Sequence, residues 1–254
     1  PEFVIKNRKR YFLESVTYTA ISSSHFGVRI MPQGFIFSVA GPVIQSNKVD
    51  NKILLAMLLS KVAKEIIKVL SPTLNFQSSD LEKIPVNSIF ISNNNTTQNL
   101  ENIVQNLIDL SKQDWDSYEI SWDFTSLPLL QNEYKKSSLE ESYQTLRAFW
   151  QTQVDTMKKL EEENNDIFIK AYGLEDELKP EVPLKEITLT CNPAYRYDDK
   201  KNTEELEALL KADTVKEYIS YAVGVMFGRY SLNHDGLHIA NQDESIEEAN
   251  AKFG

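Results

Sequence analysis

A short serine-rich segment beside a histidine holds the first residues whose types could do chemistry. Ser22, Ser23, Ser24 and His25 are consecutive, and Arg29 follows closely. A nucleophilic serine needs a general base and a turn that exposes its hydroxyl, yet the segment has neither a nucleophile elbow nor an aspartate partner nearby in sequence. A catalytic triad is therefore not predicted. Small hydroxyl donors beside an arginine suit contacts to phosphates or base edges, but from these residues alone an ordinary serine-rich turn is the favoured interpretation.

A second segment, Asn192-Pro193-Ala194-Tyr195, is similar to the Asn-Pro-Pro-Tyr loop of amino-methyltransferases. In that loop the Asn oxygen and the proline carbonyl accept hydrogen bonds from the target amine, and the aromatic ring stacks on the flipped base. Residues 187–190 read as the strand that such a loop requires. However, Ala194 replaces the second proline, and no strand is followed by a glycine-rich turn for a cofactor. We predict a structural turn. The alternative, a self-contained methyltransferase using Asn192, predicts measurable binding of S-adenosylmethionine.

The remaining reactive residue types give no site. Cys191 is the only cysteine, and the three histidines do not have the spacing of metal ligands, so neither an internal disulfide nor a metal site is predicted. Glutamates at 161–163 and 204–205 read as solvated helix faces. Aromatic residues of the acidic segment 115–124 are expected to pack in the core rather than to stack on bases. These residues are Trp115, Tyr118, Trp122 and Phe124.

Charge divides the chain into two unequal parts. Residues 1–92 contain 11 Lys and Arg against 6 Asp and Glu, a net charge of +5, whereas residues 93–254 contain 16 against 31, a net charge of −15. Phosphate contacts require local positive charge, so only the N-terminal third is a plausible nucleic-acid surface. Its basic arm consists of Lys6, Arg8, Lys9 and Arg10. From charge alone, a solvated arm without a ligand is the slightly favoured interpretation.

The composition is that of a globular protein. Of the 254 residues, 41% are hydrophobic and 25% are charged, which argues against general disorder. The sequence has no apolar run long enough to span a membrane and no signal peptide, so a cytoplasmic protein without membrane contact is expected. Pro1-Glu2-Phe3 lacks an initiator methionine and is typical of a cloning remnant or a cut end, and further chain upstream is therefore expected.

The N-terminal third is predicted to form a small sheet with one packed helix. Aromatic and β-branched residues are concentrated in 16–21, 27–31 and 35–39, and turn-forming residues separate these stretches. Apolar residues then recur at helical spacing over 51–70, where Asp50 or Asn51 can cap the start and Pro72 stops the helix. A polar run at 92–97 coincides with the change of charge, and we place a domain boundary there, giving domains 1–92 and 93–254.

Helices dominate the second domain. Amphipathic spacing predicts helices over 99–110, over 138–172 and, in one or two pieces, from Thr203 to Met226. The 138–172 helix has an apolar stripe that is interrupted at Asn164, which argues against a long coiled coil, and Gly173 is suited to end it. The predicted fold class is therefore α+β, a small mixed sheet with a packed helix followed by a mostly helical domain.

Blocks of sequence from most of the chain, taken in order, resemble one family. They include Ser71-Pro72-Thr73-Leu74-Asn75-Phe76-Gln77 and Phe227-Gly228-Arg229-Tyr230. The other blocks are 11–18 with 21–24, 26–29, 34–37 with 40–41, 58–62, 80–85, 115–119, 121–124, 172–178 and 219–224. This ordered set resembles the large adenine-specific DNA methyltransferases of BREX phage-defence systems, the PglX family, which are related to type IIG restriction–modification enzymes.

The resemblance implies a part of such an enzyme without its catalytic domain. Family members carry an upstream domain that binds S-adenosylmethionine and methylates adenine N6, followed by a region that recognises the DNA target. This chain resembles the later region, so neither a catalytic residue nor a cofactor of its own is expected, and Asn192 is not the counterpart of the catalytic asparagine. The implied partners are double-stranded DNA, the upstream methyltransferase domain and other defence-system proteins.

Two functions of different kinds follow. In the first, residues 1–92 are target-recognition-like and contact DNA. The candidate DNA-binding residues are Lys6, Arg8, Lys9, Arg10, Ser22, Ser23, Ser24, His25 and Arg29. In the second, the acidic helical part is a scaffold that docks defence-system subunits or braces the catalytic domain, and an exposed apolar stripe on the 138–172 helix would favour it.

Overall fold

A computed structural model describes residues 7–22, 26–92, 94–197, 200–237 and 245–253. The chain forms two compact units, each made of two segments. Unit 1 comprises Pro1–Ile108 and Lys159–Val182, and unit 2 comprises Asp109–Lys158 and Pro183–Gly254. Unit 1 thus combines the segment 1–92 with residues 93–108 and with the later segment Lys159–Val182. The domain boundary placed at residue 92 stays a prediction.

The sheet of unit 1 has three strands in the order β2-β1-β3, namely β1 (Ser15–Tyr18), β2 (Val28–Met31) and β3 (Val43–Ile44). Both pairings are antiparallel, with Val16 opposite Ile30 on one side and opposite Ile44 on the other. The prediction of a small sheet in an α+β fold is confirmed, but the described strands form an antiparallel sheet rather than a mixed one. Only nine residues connect β1 to β2, too few for the crossover that parallel strands need.

One predicted strand is wrong. Residues 35–39 are not a strand, and the third strand is β3 instead. Phe35, Ile36 and Val39 are exposed, so their apolar side chains have no second layer against which a sheet face would be buried. High β-propensity alone does not make a strand when nothing covers it.

The helix predicted over 51–70 is two helices, α1 (Asn51–Leu59) and α2 (Lys61–Leu70). Asp50 caps α1, as predicted, by accepting a hydrogen bond from the Lys52 N–H at 2.8 Å. Between the helices Ser60 has an extended backbone, and its hydroxyl oxygen caps α2 by accepting from the Ala63 N–H at 3.2 Å. Helix α1 lies on β1 and β2, which confirms the packed helix.

Six further α-helices complete the described fold. They are α3 (Ser78–Leu81), α4 (Asn95–Asp116), α5 (Leu139–Tyr172), α6 (Pro193–Arg196), α7 (Thr203–Met226) and α8 (Ile246–Phe253). The predicted long helix is α5, and Gly173 ends it with a φ of 66°, in the left-handed region. Helix α7 is a single piece, and a capping box between Asn202 and Glu205 fixes its start.

Each unit has its own core. In unit 1, β1, α1, the first half of α4 and the end of α5 contribute buried apolar residues. They include Val16, Tyr18, Ile53, Leu54, Leu100, Val104 and Phe168. In unit 2, Phe124 packs edge-on to Tyr221 and Tyr230, and Arg147 of α5 forms a two-contact ion pair with Glu207 of α7, at 2.8 and 2.6 Å. A run of basic residues lies before β1, the central strand of the unit 1 sheet.

Candidate nucleic-acid interface

The basic residues Arg8, Lys9 and Arg10 form a single 3-10 turn just before β1. All three side chains are exposed, and within the described part of the chain no ion pair engages them. The turn is fixed to the sheet by Gln45, whose amide donates to the Arg10 carbonyl at 3.3 Å and to the Ser15 hydroxyl at 2.5 Å. Three positive charges are therefore held close together and free to meet an anion.

Arg29 is on β2, where its backbone lies opposite Thr17 of β1. Its neighbours Val28 and Ile30 pack against the core of unit 1, and because side chains alternate along a strand, Arg29 projects from the opposite face. The side chain is exposed. This position is consistent with the predicted contact to a ligand outside the sheet.

The other sequence-predicted residues are less well placed or not described. Ser22 is half-buried, and its N–H donates to the Leu74 carbonyl at 3.0 Å. Lys6, Ser23, Ser24 and His25 lie outside the described residues. The structure therefore places the basic turn before the Ser15 end of β1 and Ser22 beyond the Tyr18 end. The strand between these two ends is about 10 Å long, at 3.3 Å per residue.

Aromatic side chains that were not among the predicted site residues border the basic turn. Tyr11 contacts the Phe37 ring edge-on at a centroid distance of 5.1 Å. Phe12 and Phe35 are exposed and are joined by a hydrogen bond from the Phe12 N–H to the Phe35 carbonyl at 3.0 Å. The sequence contained a signal for them, since Tyr11 and Phe12 follow the three cations directly, and an aromatic beside a basic run suits contact with bases.

The segment Asn192-Pro193-Ala194-Tyr195 in unit 2 has the contacts of a helix cap. Asn192 is buried, and its side-chain oxygen accepts from the Ala194 N–H at 3.1 Å. Its amide donates to the carbonyls of Leu184 and Ile187, at 2.8 and 2.9 Å. With every side-chain polar atom engaged by backbone, Asn192 is not poised to bind the amine of a base. The contacts favour the predicted structural turn.

Cys191, next in the chain, is buried beside Asp114. The Asp114 carboxylate accepts from the Thr190 N–H at 2.6 Å and from the Cys191 N–H at 3.0 Å. Burial, together with this carboxylate, raises the pKa of the Cys191 thiol well above its usual range. The thiol therefore stays protonated at neutral pH and is a poor nucleophile.

Within the described ranges, no group of three or more His, Cys, Asp or Glu side chains is arranged to hold a metal ion. No described helix is both long and apolar enough to cross a membrane. The described residues also do not fit S-adenosylmethionine as dinucleotide-type folds bind such ligands, because the three strands are antiparallel and Gly27, Gly34 and Gly41 stand singly rather than in one turn before a helix.

The chain is similar to two curated bacterial proteins. It is 32% identical over 241 residues, 94% of the chain, to the adenine-specific methyltransferase BrxX of Escherichia coli O9:H4 (strain HS). It is 34% identical over 247 residues, 93% of the chain, to the adenine-specific methyltransferase PglX of Lacticaseibacillus casei (strain Zhang). The matched regions span only 19% and 18% of those relatives. No protein-family model matches. The resemblance predicted from the ordered sequence blocks is confirmed.

Proposed function

Because this chain is homologous to a segment of the adenine-specific methyltransferases of BREX systems, we propose that it is the DNA target-recognition and helical portion of a DNA adenine N6-methyltransferase of a phage-defence system. In this role the chain contacts double-stranded DNA and positions it. Methyl transfer from S-adenosylmethionine is the task of another part of the same enzyme. The chain itself is non-catalytic.

The observation that carries the proposal is the basic turn of unit 1. Arg8, Lys9 and Arg10 are exposed and fixed to the sheet by Gln45, and Arg29 projects from the neighbouring strand. Cations that contact phosphates displace condensed counterions from DNA, which makes binding favourable and strongly dependent on salt. Unpaired cations in a turn that is anchored to the sheet are suited to this, whereas cations already paired with carboxylates are not.

The non-catalytic part of the proposal is supported by how the reactive side chains are used. Asn192 serves as a helix cap, and Cys191 is buried with a raised pKa. The acidic unit 2 also has little electrostatic attraction for a polyanion. DNA contact is therefore assigned to unit 1.

We expect the chain to bind duplex DNA with an affinity that falls steeply as salt rises. The variant Lys9→Gln/Arg10→Gln should weaken binding at low salt by roughly tenfold. It should also reduce the slope of log affinity against log salt by about two, which corresponds to two lost phosphate contacts. Fluorescence anisotropy titration at several salt concentrations measures both quantities.

The matched control is Lys135→Gln/Lys136→Gln, which removes two adjacent exposed cations from unit 2. This variant should bind as the unmodified chain does. Equal loss in the two variants would show that only net charge matters and would contradict a specific DNA surface on unit 1. Absence of binding at low salt would contradict the proposed function as a whole.

A second candidate function, an interaction scaffold, is favoured by a different surface from the one expected. Most of the apolar stripe of α5 is covered, since Tyr143, Leu146, Trp150 and Met157 are buried, although Leu139 at its start is 43% exposed. Unit 2 instead exposes apolar residues at helical spacing along the end of α7, together with two tryptophans predicted to be buried. They are Ile219, Val223, Met226, Phe227, Trp115 and Trp122.

The prediction of core packing for Trp115 and Trp122 is wrong, because Phe124 takes the buried place against Tyr221 and Tyr230. Trp122 is 83% exposed. A helix end that is apolar on its exposed side is typical of a site covered by another protein or domain. The scaffold alternative assigns this surface to the rest of the methyltransferase or to other defence-system subunits.

Oxidative footprinting of the methionines tests the scaffold alternative. Met226 is 75% exposed, whereas Met31, Met57 and Met157 are each buried. In the 254-residue chain, Met226 should be oxidised at least several times faster than the other three, as read by mass spectrometry. In a full-length enzyme containing this region, protection of Met226 would support the scaffold role, and an unchanged oxidation rate would contradict it.

A further inference from the structure

Phe12 has an unusual backbone conformation beside the basic turn. Its φ is 62°, in the left-handed region that bulky side chains rarely adopt. The conformation is held from both sides, because the Phe12 N–H donates to the Phe35 carbonyl at 3.0 Å and the Phe12 carbonyl accepts from the Gly34 N–H at 3.1 Å. Residues in such conformations persist only where surrounding structure enforces them, and they are concentrated at functional sites.

This backbone conformation does not bury the Phe12 side chain. Phe12 is 54% exposed, and its closest aromatic neighbour, Tyr11, is edge-on at 6.5 Å. Tyr11 itself packs more closely on Phe37, at 5.1 Å. The fold therefore fixes the backbone of Phe12 firmly and leaves its ring displayed to solvent on a rigid base.

Charge indicates what would cover the ring. The three residues before Tyr11 are cationic and unpaired within the described chain. Glu14, the next carboxylate along the chain, accepts a hydrogen bond from the side-chain amide of Asn51 at 3.4 Å. A protein surface would need acidic side chains to match these cations and an apolar contact for the ring. Duplex DNA offers both in one ligand, with phosphates a short distance from the faces of the bases.

We infer that Phe12 is a wedge that inserts at a base step of bound duplex DNA and stacks on an exposed base, while Arg8, Lys9 and Arg10 hold the adjoining phosphates. The inference rests on the proposed DNA-binding function and adds a specific contact to it. An aromatic wedge unstacks a base step and stabilises the distorted duplex that results. The geometry of that step then differs from the geometry of the neighbouring steps.

A duplex with a single-nucleotide gap tests the wedge without knowledge of the target sequence. Insertion into an intact step must first unstack it, whereas a gap is already unstacked. The chain should therefore bind the gapped duplex about tenfold more tightly than the intact duplex of the same sequence, in the range that one base–aromatic stack gives. Anisotropy titration of the two labelled duplexes measures this ratio.

The decisive variant is Phe12→Gly. Glycine adopts positive φ without strain, so the variant should have a melting temperature at least equal to that of the unmodified chain, yet lose the preference for the gap. Phe12→Trp should retain the preference and should show quenching of the new indole by the gapped duplex. The control Trp122→Ala removes an exposed aromatic from unit 2 and should leave the ratio unchanged.

The outcomes separate the two proposals. Equal binding of both duplexes by the unmodified chain, or a retained preference in Phe12→Gly, overturns the wedge and leaves DNA binding by the basic turn in place. Failure to bind either duplex at low salt overturns the proposed function, and the wedge with it. We expect Phe12→Gly, unlike Phe12→Trp and Trp122→Ala, to lose the preference for the gapped duplex. Its binding to intact duplex should remain salt-dependent.

Discussion

Replacing Asp114 with alanine is expected to lower the free energy of unfolding of unit 2 by about 2–5 kcal/mol. Asp114 is 6% exposed, and each of its carboxylate oxygens accepts one backbone N–H, from Thr190 and from Cys191. Alanine leaves both N–H groups buried without an acceptor and opens a small cavity beside them. Urea denaturation followed by tryptophan fluorescence suits this measurement, because Trp115, Trp122 and Trp150, the chain's three tryptophans, all belong to unit 2.

Two further variants make the interpretation specific. Asp123→Ala removes a carboxylate whose side chain is 63% exposed and pairs with Lys112, and its effect should stay below about 1 kcal/mol. Asp114→Asn keeps one acceptor oxygen and should fall between the two alanine variants. If Asp114→Ala were as stable as Asp123→Ala, the two backbone N–H groups would have to find other acceptors, and the role given to Asp114 would be wrong.

The long helices could be predicted from sequence because their evidence is local and repeated. In α5 the apolar residues recur every three or four positions except around Asn164, and Gly173 supplies the positive φ that ends the helix. The same holds for α7, where Asn202 and Glu205 stand at the spacing of a capping box. Such signals need no knowledge of the rest of the fold.

The break between α1 and α2 could not be predicted, because its cause is distant in sequence. Ser60 is a tolerable helix residue, and the apolar spacing of 51–70 continues through it. The deciding contact comes from Asn165 of α5, whose side-chain oxygen accepts from the Lys61 N–H at 2.9 Å. The interruption of the α5 stripe at Asn164 was visible in the sequence, but its meaning, a polar contact with the α1–α2 junction, depends on the tertiary structure.

The candidate site was predicted in part. Charge asymmetry located the basic turn and Arg29, and the structure leaves these side chains exposed on the sheet of unit 1. DNA binding by these residues stays a prediction. Phe12 was not selected, because its importance lies in a left-handed backbone fixed by Gly34 and Phe35, and a dihedral angle of this kind leaves no pattern in residue types. The strand predicted over 35–39 was wrong for a related reason, because β-propensity does not show whether a segment will be exposed.

Asn165→Leu should destabilise unit 1 by about 2–4 kcal/mol. Both polar atoms of the buried side chain are used, since the oxygen accepts from the Lys61 N–H and the amide donates to the Pro180 carbonyl at 3.1 Å. Leucine has a similar size but satisfies neither group, and the first turn of α2 loses the cap that Asn165 shares with Ser60. Hydrogen exchange of the Lys61–Leu70 amides, read by mass spectrometry, should accelerate correspondingly.

The neighbouring residue gives a matched control at the same depth. The Asn164 amide donates to the Ala56 carbonyl at 3.0 Å, but its side-chain oxygen has no hydrogen-bond partner in the described part of the chain. In Asn164→Leu the loss of one hydrogen bond is offset by removal of that unpaired oxygen, so the expected loss is only about 1 kcal/mol. Equal destabilisation by the two leucine variants would mean that any polar-to-apolar change here is costly. A loss several times larger for Asn165→Leu would show instead that α5 sets the start of α2, and with it the position of α1 beneath the sheet that carries the basic turn.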